Sequence, residues 1–345
     1  MENSKYKIVG YLADWQDWSA ESIDAGKMTH INYAFAQIKD GLVCMNENNR
    51  LGEVKRLKKL FPNLRILISI GGWGAEGFSD AAQTEASRGR FADSALAFIT
   101  SHGFDGVDLD WEYPCLSEAG IKSTPDDKHN FTRLLQKVRQ KLDEAEMRDH
   151  RRYWLTIASG AMQEHVSHLE LDLISEVTDF INVMAYDFHS GLSSFAGHHA
   201  NLYTSICDDG DRMSVDKAVK EHICAGVPAG KLVLGCAFYG RGWRVVEAEN
   251  HGLYEFSGDD RSEHSYSSLS PEYIAKNGYE RFWDETAKAP YLWNGERFIS
   301  YEDTESLGHK TSYIKAKGLA GAMFWEYTQD DKNILLNKLY NDLNK

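Results

Sequence analysis

The sequence predicts an α/β protein built as a (β/α)8 TIM barrel with a small α+β insertion after strand seven. Three observations carry that expectation: eight apolar runs of strand length, amphipathic helical patterns between them, and one interval that breaks the alternation. The runs occupy residues 6–13, 28–38, 64–70, 104–111, 154–160, 179–185, 232–238 and 319–324. They are rich in Val, Ile, Leu and aromatics, as strands buried on both faces of a parallel sheet must be.

The helical patterns follow in order. Phe91, Ala95, Phe98 and Ile99 stand at i, i+4, i+7 and i+8, with Gly103 placed as the stop. Over 127–148, Phe131, Leu134, Leu135, Val138 and Leu142 share one face, and 214–226 and 331–343 repeat the pattern. Strand-then-helix repeated eight times spells a closed barrel, with a doubly wound open sheet as the competing arrangement. From 243 to 311 the chain is aromatic, polar and irregular, with short β-like pieces around Tyr291 and Phe298. So long a segment does not remain structureless in a compact domain. It is read as an α+β lobe within a single barrel spanning 1–345, without repeats, low-complexity tracts or a linker.

Composition narrows the function. There are 38 Lys+Arg against 52 Asp+Glu, a formal net charge of -14, which excludes the basic surfaces that nucleic acids and anionic membranes select. The 9 Trp and 17 Tyr suit the apolar faces of sugar rings as well as a core. Five cysteines (Cys44, Cys115, Cys207, Cys224, Cys236) show neither paired nor zinc-like spacing, so reduced thiols are expected, with Cys224 and Cys236 in apolar surroundings. No cofactor and no metal are expected. The first residues show no charged-then-apolar leader, and no stretch approaches the ~20 apolar residues of a membrane span. The expectation is therefore a cytoplasmic monomer, or a secreted one if a leader precedes this sequence or export is non-classical.

The run Asp105-Gly-Val-Asp108-Leu-Asp110-Trp-Glu112 on strand four carries the chemistry. Alternate side chains of a strand share a face, about 6.6 Å apart. Asp108, Asp110 and Glu112 thus form one row, with Leu109 and Trp111 facing the other way. Three acids in a low-dielectric barrel cannot all ionise cheaply, and the group that keeps its proton near neutrality is a usable general acid. A solvated edge would not be flanked by Phe104, Val107 and Leu109, and a hard-cation site draws ligands from several loops. Asp105 has the opposite parity, which suggests a structural role.

This run resembles the DxxDxDxE signature of the chitinases of glycoside hydrolase family 18. So do Ser69-Ile-Gly71-Gly72 on strand three, followed by Trp73, and Met184-Ala-Tyr186-Asp187 on strand six. Tyr239-Gly-Arg241 on strand seven and Met323-Phe-Trp325-Glu326 on strand eight complete the match. The resemblance implies hydrolysis of chitin or chito-oligosaccharides by a retaining, substrate-assisted mechanism. Glu112 would be the acid/base, and Asp110 would orient the substrate's acetamide. Asp108 would share the proton, Tyr186 would donate to the attacking carbonyl oxygen, and Asp187 would bind the same sugar or tune Glu112. Trp325 would lie under the cleaved sugar and Trp73 would form a platform on the leaving-group side. Tyr11, Phe35 and Met184 would line the pocket, and Tyr239 and Arg241 would meet sugar hydroxyls, unless Arg241 pairs with an acid of the lobe. Ser69, Gly71 and Gly72 look architectural. The lobe would raise one wall of a deep groove, with Trp283, Asp284 and Tyr301 as candidates to reach substrate. The competing functions are a non-catalytic chitin-binding lectin, which the presence of Glu112 disfavours, and an endo-β-N-acetylglucosaminidase acting on N-glycans.

Overall fold

The computed structural model describes residues 5–210, 212–246 and 249–345. Residues 1–4, and residues 247 and 248 from the expected lobe, lie outside the described residues.

Eight parallel strands form the barrel: β1 (Lys7–Ala13), β2 (His30–Lys39), β3 (Arg65–Gly71), β4 (Gly106–Asp110), β5 (Trp154–Gly160), β6 (Phe180–Met184), β7 (Leu232–Ala237) and β8 (Gly321–Trp325). Each pairs with the next in chain order, and β8 pairs with β1, so the sheet closes. Closure separates this arrangement from the open doubly wound sheet.

Helices cover the outside where the apolar periodicity places them. Helix Glu85–His102 buries Phe91, Ala95, Phe98 and Ile99; it opens with a capping box between Thr84 and Ser87 and ends at Gly103 with φ 79°. Helix Asp127–Asp149 buries Phe131, Leu134, Leu135, Val138 and Leu142. Helices Val215–Cys224 and Ile334–Leu343 fall within the other two expected spans.

Three features differ from the sequence reading. No α-helix joins β1 to β2, only the 3-10 turn Ala25–Lys27. Buried Trp18 packs into that connection, its indole N–H donating to the Ala13 carbonyl at 2.9 Å. The lobe is a five-stranded antiparallel sheet in the order Ser257–Ser265, Tyr239–Val245, Arg297–Ser300, Ala289–Trp293, Glu280–Asp284, with helix Pro271–Lys276. Its sheet therefore runs from 239 to 300 rather than over 243–311. One residue separates its first strand from β7, with no turn signal to mark the change. At the other end, helix Thr304–Lys317 belongs to the barrel wall; it starts at a capping box of Asp303 and Ser306. Cys224 is also exposed, at the end of its helix, whereas Cys236 is buried; all five cysteines are free thiols.

The junction between lobe and barrel holds an ion pair. Glu302 and Lys310 are fully buried and 2.7 Å apart, and Glu302 also accepts from the Ala237 amide at 2.8 Å, which ties the lobe's exit to the end of β7. Removing one partner strands a charge in the interior. Lys310→Met should therefore lower stability by about 3–5 kcal/mol in chemical denaturation, and adding Glu302→Gln should recover most of that loss.

Candidate active site

Strand β4 places the acids as its parity requires. Val107, Leu109 and Trp111 join the outer core, where the Trp111 ring stacks on Phe78 at 5.2 Å and meets Phe131 edge-on at 5.3 Å. Asp108 and Asp110 face the barrel interior and are buried, with Glu112 beyond the strand's end at the mouth.

Asp108 sits deepest. Its Oδ2 accepts from Tyr11 Oη at 2.7 Å and Ser69 Oγ at 2.8 Å; its Oδ1 accepts from Thr156 Oγ1 at 2.5 Å and Asn182 Nδ2 at 3.3 Å. Burial pushes this carboxyl up, and the four donors pull it only part of the way back. Asp110 lies well above the usual carboxylate range, through burial first and then the charges of Glu112 and Asp108. Its Oδ1 is buried without a hydrogen-bond partner. Burial raises Glu112 to about 7, assisted by the charges of Asp187 and Glu118 and opposed by the neighbouring Tyr113 phenol. The row thus holds protons at neutral pH, and Glu112 is the member poised to exchange one.

Asp187, at φ 57° after β6, is the opposite case. Burial alone would raise it, but the Arg241 guanidinium, with the His199 imidazole 3.7 Å away, outweighs burial and holds it well below the usual range. The Arg241 fork is bidentate, Nε to Oδ1 at 2.8 Å and Nη2 to Oδ2 at 2.9 Å, and its Nη1 meets Glu263 of the lobe at 2.5 Å. Burial, with the charges of Asp110, Glu112 and Asp187, keeps the Tyr186 phenol protonated, so it has a proton to donate toward an incoming acceptor.

Aromatic rings wall the mouth. Trp325 stacks on Phe35 at 5.6 Å and packs against Tyr11 at 5.6 Å and exposed Trp15 at 6.1 Å. Trp73 is 55% exposed and stands edge-on to Tyr113 at 6.4 Å. Beneath them Met184 joins the barrel-interior cluster of Val9, Tyr11, Phe180 and Met323. Gly71 has φ 121°, and a side chain there would strike the Asp110 carbonyl, so strand three passes the acid row at the minimum distance.

Several sequence assignments change. Tyr11 is a buried donor to Asp108 rather than open wall, and Ser69 is a second donor rather than a spacer. Tyr239 is 2% exposed, edge-on to Tyr186 at 6.1 Å and near His199 at 5.1 Å, so it supports Tyr186 and Asp187 instead of meeting sugar. Arg241 pairs with both Asp187 and the lobe's Glu263. In the lobe, Asp284 is occupied by Ser205, His198 and Thr286, and Tyr301 is buried among Leu269, Tyr279 and Ile299. Trp283 is bonded to Glu285 and lies beside Arg281 and His309. Asp105 does have a structural role, accepting from the Ile66 amide and from Arg151 at 2.8 Å each and pairing with Lys58. Sequence reasoning missed Thr156, Asn182, His199 and Trp15, which sit in ordinary strand or loop contexts without a motif. Among the described residues, no cluster of His, Cys, Asp or Glu could hold a metal ion, and no helix is long and apolar enough to cross a membrane.

The model of the family Glycosyl hydrolases family 18 matches residues 7–330. The chain is 40% identical to Chitinase A1 of Niallia circulans over 98% of its own length, spanning 58% of that protein. It is 34% identical to Chitotriosidase-1 of Mus musculus, with 95% of this chain and 74% of that one aligned. Among solved structures, a glycoside hydrolase family 18 N-acetylglucosaminidase from Paenibacillus barengoltzii superposes with TM-score 0.93 at 45% identity, covering 98% of this chain and 99% of that one. A closed barrel with the full acid row, matched along nearly its whole length by the family's sequence model, leads to one conclusion: the chain belongs to glycoside hydrolase family 18.

Proposed function

We propose that the chain is a chitinase, hydrolysing β-1,4 bonds between N-acetylglucosamine units of chitin or chito-oligosaccharides with retention of configuration. The observation that carries this reading is the state of the carboxyls at the mouth. Glu112 holds a proton near neutrality, burial and the neighbouring carboxyls push Asp110 well above the usual carboxylate range, and Asp187 is an anion clamped by Arg241. None of these is a free carboxylate ready to attack a sugar carbon, so the nucleophile is supplied by the substrate's own N-acetyl oxygen.

Glu112 then protonates the leaving oxygen while the acetamide carbonyl attacks C1. The bare Oδ1 of Asp110 accepts the acetamide N–H and so orients the acetamide carbonyl toward C1. Asp108, satisfied by four donors, is the fixed anchor behind it. Tyr186 donates its hydroxyl to the attacking oxygen, and Trp325 carries the apolar face of the sugar. Glu112, now a base, activates the water that opens the oxazolinium intermediate. Likeness to the Paenibacillus enzyme along its full length supports a second reading of product size, removal of single N-acetylglucosamine units from chain ends.

Glu112→Gln should lower kcat on a chromogenic chitobioside by about 10²–10⁴-fold; binding without turnover by the native chain would overturn the reading. Because Glu112 must carry a proton to act, kcat/KM should fall as pH rises through about 7, measured on a soluble oligosaccharide. Oligomers of glucosamine lacking the acetyl group should resist cleavage, and NMR of early products from N-acetylated oligomers should show the β anomer. The same time course separates single-sugar from disaccharide release.

A further inference from the structure

Beside Glu112, on the leaving-group side, lies an arrangement to which the family motif assigns no part. Tyr113 lies flat on the imidazole of His165, with ring centroids 3.8 Å apart at 15°. His165 belongs to the short helix Gln163–Ser167 that follows β5, and its Nε2 is 2.9 Å from Glu118 Oε1 in the loop after β4. The stack is built in: a side chain at Gly160, the last residue of β5, would strike both rings. The Nδ1 atom of His165 is buried without a hydrogen-bond partner. Glu118 therefore fixes the ring's orientation from one nitrogen, and the stack fixes its plane. Tyr113 directly follows Glu112 in the chain, and its phenol lies close enough to the Glu112 carboxyl for the two to influence each other's ionisation.

We infer that His165 and Glu118 are positioning residues for Glu112, acting through the ring of Tyr113. This rests on the chitinase reading of Glu112 as acid/base. An edge of Tyr113 that could swing would release Glu112 from its aim at the glycosidic oxygen, and small misplacements of an acid are costly in rate. The pair has an electrostatic side as well. His165 faces Glu118, Glu164, His168 and Tyr113, and burial keeps it neutral. Its neutrality leaves the Glu118 carboxylate as an uncompensated negative charge. Glu112 faces that charge together with Asp187, Asp110, Tyr113 and Tyr186. A negative neighbour keeps an acid protonated to higher pH, so Glu118 extends the working range upward.

The test uses three variants of the full chain on a soluble chromogenic chito-oligosaccharide, with thermal unfolding as the folding control. Glu118→Gln keeps the hydrogen bond and removes the charge; the alkaline limb of kcat/KM should move down by roughly half a pH unit. His165→Ala removes the stack and should lower kcat about tenfold with a smaller change in KM, while His165→Phe, which keeps a ring under Tyr113, should restore most of that loss. Superimposable pH profiles for Glu118→Gln and parent, or a His165→Ala effect confined to KM or stability, overturn the inference. If His165→Ala does not fold, the exposed Glu118 variant decides alone. The Glu112 carboxyl is also titrated by carbon-13 NMR in parent and Glu118→Gln, its signal assigned by its loss in Glu112→Gln. That readout separates the two failures, because an inactive parent with a shifted titration sinks only the chitinase reading, and an active parent with an unmoved one sinks only this inference.

Discussion

One buried carboxylate organises the catalytic half of this molecule. Asp108 on β4 accepts hydrogen bonds from Tyr11 on β1, Ser69 on β3, Thr156 on β5 and Asn182 on β6, so five of the eight strands meet at a single side chain. An acid in that position would be prohibitively costly without its donors. With them it becomes a rigid anchor against which Asp110 and then Glu112 are lined up. The closeness of strand three, possible only because Gly71 has no side chain, completes the cradle.

The same row shows how one environment produces different acids. Asp108, Asp110 and Asp187 are the same residue type, yet the fold holds the first two up and the third down. Burial is the largest influence on each. What separates them is the partner: neutral donors for Asp108, carboxylates for Asp110, and a guanidinium with an imidazole for Asp187. Glu112 lies at the water's edge of this series, close enough to its anionic neighbours to keep a proton and exposed enough to pass it on.

The inserted lobe acts on the site through Arg241 and Glu263 rather than through the aromatic and acidic residues that stand out in its sequence. Trp283, Asp284 and Tyr301 are occupied inside the lobe. Arg241, on the lobe's first strand, reaches back to clamp Asp187 while Glu263 holds its other end. The lobe is thereby coupled to the electrostatics of the mouth, and buried Glu302 and Lys310 anchor its exit to the barrel.

Local periodicity was enough to reveal the eight strands, the helices around Phe91 and Phe131, and the facing of Asp108, Asp110 and Glu112, because parity along a strand and spacing along a helix need no knowledge of neighbours. The run of motifs also located Tyr186, Asp187 and Trp325 at strand ends. Tertiary structure alone decided who meets whom. That Thr156 and Asn182 complete Asp108, that Tyr239 is buried against Tyr186, and that His165 stacks on Tyr113 all depend on contacts between segments distant in sequence. Such pairings are set by barrel closure, in which each strand's position depends on all the others, and no stretch of sequence encodes that by itself.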